Sequence, residues 1–151
     1  MAKVARAFAF LVLAVVLAGV TLPPARAQSA SVTGRWDCLW IEPARGFVYE
    51  CVMTLVQARA NTVEGSITWT LVTSPRPEEQ AKLGLTAVEY VRGTFDPATR
   101  KVNVEGYDKD DPNTIIGLDG YPLELSASGQ WMFGQTHSHG TGNGRFSAVR
   151  N

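Results

Sequence analysis

The chain has 151 residues, 14 basic and 14 acidic side chains, 45% hydrophobic residues and two cysteines. That length supports one core rather than several domains. The even charge balance offers no basic face for nucleic acid or an anionic membrane, and two cysteines are too few for a structural zinc site.

Residues 1–27 read as a secretory signal peptide. Lys3 and Arg6 give a charged start, residues 7–22 form an apolar run, and Ala25-Arg26-Ala27 supplies a small-x-small cleavage pattern. The run is shorter than the roughly 20 residues of a membrane span, and Pro23-Pro24 follows it, so no stable membrane anchor is expected. The expectation is an exported protein, periplasmic or extracellular after cleavage near Ala27, with residues 28–151 forming one β-barrel domain. Loss of Lys3, Arg6 and Arg26 leaves 11 basic against 14 acidic side chains, or −3. In an exported chain the two cysteines, Cys38 and Cys51, predict a disulfide.

The first strand is centred on Gly34-Arg35-Trp36-Asp37-Cys38-Leu39-Trp40, where Trp36, Cys38 and Trp40 alternate with Arg35, Asp37 and Leu39. The run Phe47 to Gln57 places Phe47, Tyr49, Cys51, Met53 and Leu55 on one face. Opposed residues of an antiparallel pair point the same way, so a Cys38–Cys51 bridge sets Trp40 beside Tyr49 and Trp36 beside Met53. The turn then falls on Pro43-Ala44-Arg45-Gly46, which has suitable turn chemistry.

A third strand runs through Val63, Gly65, Ile67, Trp69 and Leu71. Between residues 73 and 86, Ser74-Pro75-Arg76-Pro77 breaks the pattern, and Glu78 to Leu83 predicts a short helix ended by Gly84. Ala87 to Phe95 and Val102 to Tyr107 form a predicted hairpin, and 108–113 is a polar connection. Ile115 to Leu125, interrupted by Gly117, Gly120 and Pro122, suggests a bent or edge segment. Gln130 to His137 and Gly144 to Val149, joined by a Gly-rich reversal, complete about eight strands. Gly65, Gly93, Gly106 and Gly134 each follow an apolar-x pair, a placement that suits the sharp coiling of a small closed sheet. The predicted fold is all-β, an up-and-down antiparallel barrel with one short helix in the 73–86 loop.

Gly34-Arg35-Trp36 on the first strand of such a meander resembles the calycins, the lipocalin and avidin group of small barrels. In lipocalins a basic residue near the last strand covers this tryptophan, and the resemblance offers Arg145 or Arg150 for that place. The further lipocalin motifs, the long C-terminal helix and the biotin-contacting residues of avidin have no counterpart here. The resemblance implies a fold and a ligand-binding tendency.

No motif specifies a reaction. No serine lies in a Gly-x-Ser-x-Gly elbow. His137 and His139 would point the same way on a strand, but no further histidine completes a metal site, and solvated residues near a Gly-rich turn are the plainer reading. Asp108, Asp110, Asp111, Asn113 and Asp119 fail the calcium-loop pattern because Pro112 takes a ligand position. Glu50, Glu64, Glu89, Glu105 and Glu124 lie on predicted strands and are read as facing outward. No cofactor, metal or catalytic residue is assigned, and a non-enzymatic role is favoured over an enzyme.

The favoured function is a calycin-like binding module for a small apolar or amphipathic ligand, with Trp36, Trp40, Tyr49 and Trp69 lining the site and Leu83 and Leu85 folding down as a lid. Two alternatives stand beside it. One is an interaction or inhibitor protein whose filled barrel presents loops 73–86 and 108–114 to a protein partner, and the other is a small enzyme using His137.

Overall fold

In the computed structural model, which describes residues 30–59, 61–138 and 143–151, the alternating runs form nine strand segments. The expected signal peptide lies outside the described residues, as does His139. The strands are β1 (Gly34–Glu42), β2 (Phe47–Gln57), β3 (Thr62–Thr73), β4 (Thr86–Asp96), β5 (Lys101–Asp110), β6 (Asp119–Leu125), β7 (Trp131–Gln135), β8 (His137–Ser138) and β9 (Arg145–Arg150). A 3-10 helix, Pro77–Lys82, lies in the β3–β4 connection, and Gly84 follows it at φ 82°.

Each strand pairs antiparallel with its neighbour in sequence up to β6, β9 joins β1 to β7, and the β5–β6 pairing closes the ring. β7 and β8 share one place beside β6, so the result is a closed eight-stranded antiparallel barrel. With the ring closed, every long strand has a partner on both sides over at least part of its length, which reduces the aggregation hazard of a free edge.

The β1–β2 register matches the sequence expectation residue by residue: Cys38 faces Cys51, Trp40 faces Tyr49 and Trp36 faces Met53. Cys38 and Cys51 are disulfide-bonded inside the barrel, and the turn occupies residues 43–46 with Gly46 at φ 75°.

The segment Ile115 to Leu125 differs from its expectation. Only Asp119–Leu125 is strand, and it is an interior stave, paired with β5 on one side and β7 and β8 on the other. The break between β7 and β8 has a physical reason. With the register carried across it, Gln135 and Thr136 stand opposite Pro122 and Tyr121, and Pro122 has no N–H for the ladder. Thr136 instead bonds the Gly144 carbonyl through its backbone N–H at 2.8 Å.

The up-and-down order sorts the connections to two ends. Turns 97–100 and 126–130 gather at one end with the entering segment 30–33 and the close of β2. Connections 43–46, 74–85 and 111–118 gather at the other. The first end is closed: Trp36 is fully buried, its indole N–H donates to the Val32 carbonyl at 3.1 Å, and the Arg150 guanidinium lies 4.2 Å over its ring. Of the two arginines offered by the resemblance, Arg150 covers the tryptophan. Above this plug, Met53, Leu55, Val63, Ile67, Phe95 and Met132 fill the interior.

The inward glycines serve close approach between strands. A Cβ at Gly65 would stand 2.0 Å from the Thr54 carbonyl oxygen, and one at Gly93 1.9 Å from that of Asn103. No side chain fits there without parting the ladder.

Candidate functional site

The second end holds a cavity of about 240 Å³. Its walls follow from strand parity. Trp40 and Glu42 come from β1, Phe47 and Tyr49 from β2, Trp69 from β3, Glu89 from β4, and Asp119 and Tyr121 from β6. The rings contact one another in sequence around the interior. Trp40 meets Tyr49 edge-on at 5.6 Å, Tyr49 meets Trp69 at 6.0 Å, Trp69 stacks with Tyr121 at 6.3 Å, and Phe146 of β9 meets Tyr121 at 5.6 Å.

Glu89 overturns one sequence expectation. Its carboxyl points into the barrel and is 1% exposed, whereas Glu50, Glu64 and Glu105 are exposed. The parity of β4 requires this orientation, because Ala87, Glu89, Val91 and Phe95 fall on one face. Three donors hold the carboxylate. Its Oε2 accepts from the Trp69 indole N–H at 3.0 Å and the Tyr121 hydroxyl at 2.5 Å, and its Oε1 accepts from the Asp119 backbone N–H at 3.0 Å. Space for it comes from β5, since a Cβ at Gly106 would lie 1.9 Å from Oε1.

Burial pushes the Glu89 carboxyl up to about 7, against the opposing pull of its bonds from Tyr121, Asp119 and Trp69. Burial likewise raises the Tyr121 hydroxyl well above its ordinary range, and the Glu89 charge adds to that. Tyr49 is pushed up to about 12, first by burial and then by Glu79, and donates to the Ile115 carbonyl at 2.6 Å.

Charges at the rim are arranged in pairs. Arg45 bonds Glu42 at 2.6 Å, Arg76 bonds Glu79 at 3.0 Å, and both guanidinium groups lie over the Phe47 ring, at 5.8 and 5.1 Å. The 74–85 connection is tied to the 111–118 connection where Lys82 Nζ donates to the Thr114 carbonyl at 3.1 Å. Asp111 orders the latter connection by accepting from the N–H groups of Ile115 and Ile116.

Among the residues singled out in the sequence, the structure brings Trp40, Tyr49 and Trp69 to the cavity. Trp36 lies in the plug at the opposite end. Leu83 and Leu85 are exposed on the outside of the 74–85 connection, and Ile115 and Ile116 of the neighbouring connection stand over the cavity instead. His137 is exposed and does not line it, whereas Ser138 does. Among the described residues, no three His, Cys, Asp or Glu side chains gather as metal ligands.

No protein-family model matches the sequence, and no curated protein or solved structure matches it either. The likeness to calycins therefore rests on architecture: the closed eight-stranded barrel, with Arg150 over Trp36, is compatible with a calycin-like fold.

Proposed function

We propose that the protein is a calycin-like, non-enzymatic binding module whose ligand enters the barrel at the end where residues 74–85 and 111–118 meet. The observation that carries this reading is the ring-walled cavity above a filled interior, with a buried polar group at its floor. Small-molecule sites are concave and set placed polar groups among aromatic side chains; here the rings share the lining with the charged groups of Glu42, Arg45, Arg76, Glu79, Glu89 and Asp119. At about 240 Å³ the space is below the roughly 300–1,000 Å³ of drug-sized pockets, which favours a ligand of one ring or a short chain over a fatty acid. Trp40, Tyr49 and Trp69 are the proposed contacts, joined by Tyr121 and Glu89; an exported location agrees with the Cys38–Cys51 disulfide.

Native mass spectrometry of the purified protein, followed by tryptophan fluorescence titration with a panel of small aromatic molecules, tests the reading. Saturable binding that is weakened in folded Trp69→Ala supports it. Absence of both a retained molecule and any saturable quenching would refute it.

A second reading, an interaction module for a protein partner, draws on the outer wall. Trp131 and Phe133 are each more than half exposed, and Leu39 and Val149 lie on the adjoining strands. Such a patch suits a protein contact. If the cavity binds nothing, this face becomes the better candidate for function.

A further inference from the structure

The floor of the cavity combines three features that select for charge. The rings of Trp40, Tyr49, Trp69 and Tyr121 line it, and an aromatic ring attracts a cation set over its face within about 6 Å. Glu89 supplies a carboxyl whose three partners are all neutral donors, so its charge is solvated by hydrogen bonds but, among the described residues, not balanced by a cation. Asp119, at the start of β6, adds a second acid to the lining and lies close enough to bear on the Glu89 carboxyl.

Among the described residues, the bases nearby are already engaged. Arg45 pairs with Glu42 and Arg76 with Glu79, both at the rim over Phe47. Lys109, opposite Glu89 in the β4–β5 register, is exposed and bonds Asp111 at 3.2 Å and the Ile116 carbonyl. Of the elements packed on Glu89, β3 presents Trp69, β5 presents Gly106, and β6 presents Tyr121 and Asp119. Across the cavity stands Tyr49 of β2. An anion entering this floor would meet two acids, and a purely apolar ligand would bury a carboxylate without a counter-charge.

Building on the binding-module reading, we propose that the mouth cavity takes a small organic cation: an ammonium group set beside the Glu89 carboxylate among the rings of Trp40, Trp69 and Tyr121, carried on a body of about one aromatic ring. The cation supplies the counter-charge that Glu89 lacks among the described residues, and the rings hold both its charge and its apolar body. The Glu42–Arg45 and Arg76–Glu79 pairs leave the rim near neutral, so the charge preference arises at the floor.

Three probes of one size and three charges separate the possibilities: 2-phenylethylamine, 2-phenylethanol and phenylacetate, titrated into the full mature protein by calorimetry and tryptophan fluorescence at pH 8. The amine should bind about tenfold or more tighter than the alcohol, the order of a charge-assisted bond plus a cation–π contact, and phenylacetate should bind weakest. Lowering the pH from 8 to 6 protonates Glu89 while the amine stays charged, so the amine's advantage should shrink and the alcohol's affinity should stay level. Glu89→Gln should remove most of the amine preference and leave alcohol binding in place. If that variant does not fold by circular dichroism, Asp119→Asn gives the second test, with a smaller loss of amine preference expected. Equal binding of amine and alcohol, or preference for phenylacetate, would overturn the cation proposal and leave the binding module standing. No binding by any probe would overturn both.

Discussion

The two ends of the barrel use similar residues to opposite effect. At the plugged end, Trp36 is fully buried, its N–H is satisfied by a local carbonyl, and Arg150 closes over its face while donating to the carbonyls of Gly129 and Thr33 at 2.9 and 2.6 Å. Here the cation over the ring belongs to the protein. At the mouth, the Trp69 indole N–H is directed to a buried carboxylate, and no guanidinium or ammonium of the described residues pairs with that carboxylate. One tryptophan is complete as part of the fold, and the other belongs to a group with charge still to be balanced. This contrast is the reason the proposed site is set at the mouth and not at the plug.

The largest effect is expected at the plug. Trp36→Ala should cost about 3–5 kcal/mol of unfolding free energy, as large aromatic truncations in a core do, measured by urea denaturation. A cost as small as that of a surface change would mean the plug is not the structural anchor.

Glu89 provides the next largest effect, and its sign is distinctive. Its folded-state value is raised from 4.5 to about 7, so the folded protein holds the proton more tightly than the unfolded chain. The stability this provides is complete below about pH 4.5 and is lost as pH rises through about 7, a change on the order of 3 kcal/mol. Glu89→Gln should flatten the stability profile between pH 5 and 8. A wild-type protein that becomes more stable over that interval, with the variant following it, would contradict the buried, unbalanced carboxyl.

The smallest effect is at the rim. Tyr49→Phe deletes the 2.6 Å bond to the Ile115 carbonyl and should cost about 1 kcal/mol, since one neutral hydrogen bond is lost next to accessible water. A cost near that of Trp36→Ala would show that the mouth is as integral to folding as the plug.

The β1–β2 register was legible in the sequence because disulfide, alternation and turn independently require the same pairing of Trp40 with Tyr49. The barrel was legible for a similar reason, since strict alternation and short turns leave few other ways to bury Trp36, Ile67 and Leu71. Glu89 was misread because a glutamate on a strand is usually solvated. The parity with Ala87, Val91 and Phe95 was a signal that pointed inward, but its stabilising donors lie 20 to 32 residues away. The choice between Arg145 and Arg150 depended on the β1–β9 register, in which Trp36 faces Arg150. The outward position of Leu83 and Leu85 had no periodic signature, because the path of a connection is set by contacts such as Gly84 N–H to the Leu71 carbonyl at 2.8 Å.

The most direct test of the contrast between the two ends is an NMR titration of the indole N–H resonances from pH 5 to 9. The Trp69 N–H, bonded to Glu89, should shift with a midpoint near pH 7, while the Trp36 N–H, bonded to the Val32 carbonyl, should stay constant. A Trp69 resonance that is flat over this range, or a Trp36 resonance that titrates with it, would contradict the account.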